Sequence, residues 1–178
     1  MKSQIGIIGG ETKNIPEETK KQILSLSYEV GKLIAEGDAV LITGGCTGVA
    51  EAACKGSLEK GGITVGTPGP VRGTSVNEVQ VEICTPIGTG DYLFAGILSC
   101  DSIICLPGGP GTLAELMIAY RYKKPLIFIK GYKENILKEM LTNYDMNYPA
   151  YVAENAKEAV KIALEIIKVT NTPLENSK

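Results

Sequence analysis

Short apolar runs alternate with longer amphipathic ones along this chain of 178 residues. The short runs are QIGIIGG (4–10), AVLITGG (39–45), GITVGTP (62–68), VQVEICT (79–85), DSIICLPGG (101–109) and KPLIFI (124–129). They are too short for helices, rich in Val and Ile, and bounded by glycine or proline, so they predict strands. Between the first two, residues 16–36 place Ile23, Leu26, Val30, Leu33 and Ile34 on one helical face. That helix is expected to open with Asn14 as its cap, Glu17 three residues on, and Pro16 in the first turn. A last strand around Tyr151 and a helix over 154–168 close the domain, leaving 169–178 as a polar tail that contains Pro173. Strands alternating with helices build βαβ units and a sheet covered on both sides. The expected fold is one α/β domain over 1–168, doubly wound on a mostly parallel sheet of six or seven strands.

In such sheets ligands bind outside the carboxyl ends of the strands. Glycine marks four of those ends here, at Gly9-Gly10, Gly44-Gly45, Gly66 and Gly108-Gly109. Two of the loops resemble each other. GGCTGVAE (44–51) and GGPGTLAE (108–115) share Gly-Gly, an aliphatic residue, Ala and Glu position for position. Each lies between a predicted strand and a predicted helix, so each can aim free N–H groups of a helix start at an anion. The candidate phosphate contacts are Gly9, Gly10, Gly44, Gly45, Cys46, Thr47 and Gly48 on one side. Gly108, Gly109, Pro110, Gly111 and Thr112 make up the other. Facing each other, the two cradles would hold a phosphate and the sugar attached to it.

A plainer reading of the second loop makes Thr112 and Glu115 a capping box. Leu113, Leu116, Met117 and Tyr120 then form the buried stripe of the helix. That explains Thr112 and Glu115 but not the glycines before them. Residues 109–114 also fit G-x-G-x-x-A, yet they follow a late strand, and the next strand ends in Ile129-Lys130 with no acid for a ribose hydroxyl. A Walker loop is absent, because Gly31-Lys32 falls inside a helix. The loop GTPGPVRGTSVNE (66–78) carries Arg72, either a solvated charge or a phosphate contact. Glu51, Glu78, Glu82 and Asp91 read as surface carboxylates.

Composition removes several function classes. Net charge is −2 and the lysines are scattered, so no basic face is expected for nucleic acid or an anionic membrane. Histidine is missing altogether and the only arginines are Arg72 and Arg121, which rules out His-based triads and His-ligated metals. Five cysteines without a C-x-x-C pair predict neither zinc nor a disulfide framework, but buried thiols in a reducing cytosol. The first residues are too glycine-rich for a signal peptide, and no run approaches the ~18 apolar residues of a membrane helix. A cytoplasmic protein with no required cofactor is expected.

Pro107-Gly108-Gly109-Pro110-Gly111-Thr112-Leu113-Ala114-Glu115 is an intact P-G-G-x-G-T-x-x-E. It resembles the signature of the LONELY GUY family, once labelled "possible lysine decarboxylase", and GGCTGVAEAACKG (44–56) resembles that family's first glycine-rich loop. The resemblance spans about residues 4–129. It implies a Rossmann-like fold, assembly as a homodimer or larger, and binding of nucleoside monophosphates. It also implies hydrolysis of the N-glycosidic bond, with Glu115 beside the ribose. A carboxylate there suits an oxocarbenium-like sugar. The match breaks at Asp91, Tyr92 and Leu93, where the family carries an arginine. Losing such a contact costs about two to three orders of magnitude in rate, unless Arg72 replaces it. A sister branch, similar in length and in both glycine loops, includes molybdenum cofactor carrier-like proteins that bind a pterin phosphate without processing it. Lysine decarboxylation finds no support, since only Lys55 lies near either cradle. Two classes stay open: a nucleotide N-glycosidase using Glu115, and a non-catalytic carrier or sensor of a nucleotide or pterin phosphate.

Overall fold

Among the described residues seven strands form one sheet, and every pairing in it is parallel. The computed structural model describes residues 1–86, 91–132, 138–139, 141–143 and 145–171. In chain order the elements are β1 (Gln4–Ile8), α1 (Glu17–Glu36), β2 (Val40–Thr43), α2 (Val49–Glu59), β3 (Ile63–Gly66) and β4 (Val81–Glu82). They continue as α3 (Asp91–Ser99), β5 (Ser102–Cys105), α4 (Pro110–Arg121), β6 (Leu126–Ile129), β7 (Ala150–Ala153) and α5 (Ala156–Asn171). The sheet order is β4-β3-β2-β1-β5-β6-β7. The chain winds outward from β1 to β4, returns to lay β5 beside β1, and winds outward the other way. The switch point between β1 and β5 opens a crevice at the carboxyl ends of those two strands.

The strands read as continuous apolar runs because both faces are covered. Ile5, Ile7, Leu41, Ile104 and Ile127 pack under α1, α2 and α5. Ile8, Ile42, Ile103, Leu126 and Phe128 pack under α3 and α4. Each such side chain contributes ~1.5–3 kcal/mol through its removal from water. This is the α/β, doubly wound, Rossmann-like fold the sequence predicts, with a sheet that is wholly rather than mostly parallel among the described residues.

Helices α1 and α2 meet backbone to backbone. A Cβ added at Gly31 would lie 1.9 Å from the Ala53 carbonyl oxygen, and one at Gly56 would lie 2.0 Å from that of Tyr28. Neither backbone can yield without parting the helices. Gly56→Val is therefore expected to lower stability by about 1–3 kcal/mol or more. The check is a urea titration, in which the midpoint falls while the slope is retained.

Several boundaries differ from the expectation. Asn14 does not cap α1: Pro16 takes that position in an extended conformation, and its carbonyl accepts the Lys20 N–H at 2.9 Å. Helix α4 starts at Pro110 after Gly109, with no side-chain capping bond, so Thr112 and Glu115 form no capping box. A proline at the first helical position fixes the start there. The face of α4 that packs on the sheet is Thr112, Glu115, Leu116 and Ala119, whereas Leu113 and Met117 are exposed. The strand expected over 79–85 pairs only at Val81 and Glu82, because side-chain bonds from Gln80 and Glu82 occupy its flanks. Helix α5 runs on to Asn171 rather than ending at 168, and 172–178 lie outside the described residues. Cys54, Cys100 and Cys105 are buried free thiols as expected, but Cys46 and Cys84 are exposed, the first in a loop and the second beside the edge strand.

Candidate functional site

The loop after β1 is the centre of the glycine-rich edge. Its Gly10 N–H donates to the Pro107 carbonyl at 3.0 Å, and its Gly10 carbonyl accepts the Val49 N–H at 3.4 Å. The loops at 44–48 and 107–109 therefore both lean on residues 9–12 and reach each other through them. Contact on the β5 side is close: a Cβ at Gly108 would stand 2.0 Å from Thr112 Oγ1 and 2.7 Å from the Gly10 nitrogen. On the β2 side Gly48 sits at φ +90°, and a Cβ there would meet the Gly10 oxygen at 2.9 Å. Only glycine brings the three loops this near.

Gly48 and Gly109 are the residues from which α2 and α4 start. The first turn of α4 contributes no N–H from Pro110, and the Leu113 N–H turns back to the Gly109 carbonyl at 3.1 Å. The amides of Gly111 and Thr112 are left without an acceptor inside the helix, at its positive end. That is an anion-binding geometry.

Beside it lies a cavity of about 380 Å³, lined by Thr12, Lys13, Asn14, Ile23, Gly108 and Gly109 among others, within the usual size range for small-ligand sites. A larger groove of about 870 Å³ lies at the opposite sheet edge, by Asp101, Pro125 and Pro149, away from every glycine loop. Sites in parallel sheets form at carboxyl ends, so the smaller cavity is the candidate. Lys13 in its wall pairs with Glu11 at 2.8 Å, and Thr47 Oγ1 donates to the same carboxylate at 3.5 Å. The Glu11 carboxyl is held below its ordinary range, first by the Lys13 hydrogen bond and charge. Sequence reasoning overlooked residues 11–14. The signal was a polar stretch between a predicted strand end and Pro16, read there only as a helix start.

Glu115 is placed differently. It is 9% exposed and lines a narrow crevice with Ile42, Gly44, Thr67, Ile97 and Cys100, under α3. The cavity of Thr12 and Lys13 opens under α1, across the sheet. Burial raises the Glu115 carboxyl from 4.5 to about 7. Its charge adds to the loss of solvent in pushing up the thiol of the buried Cys105.

Arg72 is exposed in the loop that leans on Gly45, where the Val76 N–H donates to the Gly45 carbonyl at 2.8 Å. Its charge acts on Glu82. That carboxylate is held low first by the Gly73 N–H and then by Ser75, with Arg72 adding to them. Nothing cationic offsets the burial of Glu115 among the described residues. The structure thus gathers Gly9, Gly10, Gly44, Gly45, Cys46, Thr47 and Gly48 with Gly108–Thr112 at one edge, and does not bring Arg72 to Glu115. Asp91–Leu93, the stretch at which the sequence resemblance breaks, open α3. Among the described residues no cluster of acidic or cysteine side chains could hold a metal ion, and no helix is long and apolar enough to cross a membrane.

Comparison with known proteins finds relatives of the same fold. The molybdenum cofactor binding protein of Rippkaea orientalis superposes with a TM-score of 0.80 at 28% identity, over 94% of this chain and 98% of that one. The molybdenum cofactor carrier protein of Chlamydomonas reinhardtii gives 0.78 at 28% identity, over 94% and 99%. An uncharacterized protein of Archaeoglobus fulgidus is 33% identical over 147 residues, which is 79% of this chain and 93% of the relative. The model of the SLOG cluster4 family matches residues 2–160, and the chain belongs to that family.

Proposed function

We propose that this protein binds a small phosphorylated ligand of the pterin phosphate type at its glycine-rich edge and carries it intact. The phosphate rests on the α4 amides of Gly111 and Thr112, and the ring system occupies the cavity beside Thr12, Lys13 and Asn14. The observation that carries this reading is the seclusion of Glu115. Its carboxyl is buried in a narrow crevice with Gly44, Thr67, Ile97 and Cys100, apart from the cavity of Thr12 and Lys13 that the ring system would fill. The two structural neighbours that bind or carry molybdenum cofactor, matched over nearly their whole length, support the same choice.

A second reading has one observation in its favour. A carboxyl that keeps its proton to about pH 7 suits an acid that protonates a departing base. In that case the protein is a nucleoside monophosphate N-glycosidase and the loops must part to admit the ribose. Incubation with AMP, GMP, CMP and UMP separates the two readings, with chromatography for free base and melting curves on the same samples. The expected result is a raised Tm, GMP first because guanine shares the amino-oxo-pyrimidine edge of a pterin, with no base released. Base release that vanishes in Glu115→Ala overturns the carrier reading. No Tm shift with these nucleotides or with inorganic phosphate overturns both.

A further inference from the structure

The cavity at the glycine-rich edge is partly apolar, with Ile15 and the buried Ile23 in its lining, and it has one charged corner. Glu11 and Lys13 are the only charged side chains that line it. They form an ion pair in which Lys13 Nζ donates to Glu11 Oε2 at 2.8 Å, and both are exposed. The other carboxylate oxygen, Oε1, accepts a long bond of 3.5 Å from Thr47 Oγ1. Each oxygen therefore keeps a lone pair, and the ammonium keeps N–H groups, for a ligand in the cavity.

Hydrogen-bond chemistry gives that corner a pattern. An ionised carboxylate only accepts, and an ammonium only donates. The Glu11 carboxyl is held below its ordinary range, first by Lys13, so it is ionised at neutral pH. Lys13 stands against Oε2 and Thr47 against Oε1. The pair thus presents acceptor, acceptor and donor in the order Oε1, Oε2, Nζ. Its complement is donor, donor, acceptor. The amino-oxo-pyrimidine edge of guanine and of a pterin carries that sequence as amino N–H, ring N–H and oxo group. Adenine has the wrong sign at two positions. Its ring nitrogen would meet the carboxylate as lone pair against lone pair, and its amino group would meet the ammonium as donor against donor.

We propose that Glu11 and Lys13 together determine the specificity of this site, taking the amino-oxo-pyrimidine edge of the ligand and rejecting adenine-like edges. This rests on the reading of the glycine-rich edge as a site for a phosphorylated ring compound. The loops leave the two ends of such a ligand apart. Gly108 and Gly109 line the cavity on the β5 side, next to the α4 amides that take the phosphate. The Glu11 carboxylate is drawn toward Thr47, in the loop after β2, and β1 lies between β2 and β5. The carboxylate therefore leans away from the phosphate end. A ring seated in the cavity covers the pair, and a mismatched ring leaves it covered without partners. That penalty is what makes hydrogen-bonding sites selective.

The test is titration calorimetry of the full chain with GMP, IMP, AMP and inorganic phosphate. Wild type is expected to bind GMP about 10- to 100-fold more tightly than AMP, the range of one good bidentate pair. IMP keeps the oxo group and ring N–H but lacks the amino group, so it should fall between them. Glu11→Gln sets an amide donor beside an acceptor, which is the pattern adenine pairs with. Its GMP affinity should fall about 10- to 100-fold while AMP binds more tightly than it does to wild type, so the preference inverts. Lys13→Met should bring the GMP and AMP affinities closer together. A loop that had merely lost support would lose both nucleotides alike. A Glu11→Gln that weakens GMP and AMP by the same factor therefore overturns the proposal, as do equal affinities in wild type. A Lys13→Met that weakens both equally assigns Lys13 to the phosphate and overturns its part in reading the ring. Inorganic phosphate has no ring and reports on the cradle alone. Phosphate that binds wild type but not Gly109→Val, which fills the cradle, leaves the site standing when the base preference fails. No binding of phosphate or of any nucleotide overturns the site, and the proposal with it.

Discussion

At pH 8 the Glu115→Gln variant is expected to be more stable than wild type by up to about 3 kcal/mol. The Glu115 carboxyl stands at about 7 in the folded chain against 4.5 in the unfolded one, through burial alone. Between those values the folded state holds a proton that the unfolded state has released. Folding then takes up a proton, so stability falls as pH rises through the window and levels off above pH 7. At ~1.36 kcal/mol for each pH unit the full loss is roughly 3 kcal/mol. Glutamine has no proton to release, so unfolding curves of the variant should be flat from pH 5 to 8. The two proteins should converge near pH 4.5 and diverge above it. Parallel pH profiles would mean that Glu115 is solvated or paired.

Gly109→Val is expected to abolish binding of phosphorylated ligands while the fold stays intact. A Cβ at Gly109 meets nothing within 4 Å, and its φ of −95° is open to any residue. Losing glycine at a helix N-cap costs no more than about 1 kcal/mol. The added isopropyl group stands where a phosphate would approach the Gly111 and Thr112 amides, so affinity should fall at least ~100-fold, to the level of two charge-assisted hydrogen bonds. Its neighbour behaves differently. Gly108→Val drives a side chain into Thr112 and the Gly10 backbone, so it should lose binding and stability together. A Gly109→Val protein that binds GMP as wild type does would remove the α4 start from the site.

The strand cores were legible because a strand buried on both faces leaves an unbroken apolar run, as LIFI in β6 does. Their carboxyl ends were drawn too long because glycine continues the apolar run in sequence but leaves the ladder in space. Edge strand β4 was overdrawn for another reason: VQVEICT has strand composition, yet Gln80 and Glu82 bond to Thr64 and the 73–75 loop. In α4 the polar residues Thr112 and Glu115 read as a cap, while Leu113 and Met117 read as core. The real phase is rotated by about one residue, because Pro110 starts the helix and Glu115 faces the sheet. That error concealed both the buried carboxyl and the exposed apolar stripe. The convergence of both glycine loops on residues 9–12 could not be read at all, since it depends on β1 lying between β2 and β5.

The central claim is that the glycine-rich edge holds a phosphorylated pterin and leaves it whole. Its most direct test is the pterin content of the chain purified from a host that makes molybdenum cofactor, measured by fluorescence after oxidation, for wild type beside Gly109→Val. Intact phosphorylated pterin approaching one per chain in wild type, and none in Gly109→Val, is the predicted result. No pterin in wild type, together with AMP cleaved to free adenine by wild type but not by Glu115→Ala, would contradict it.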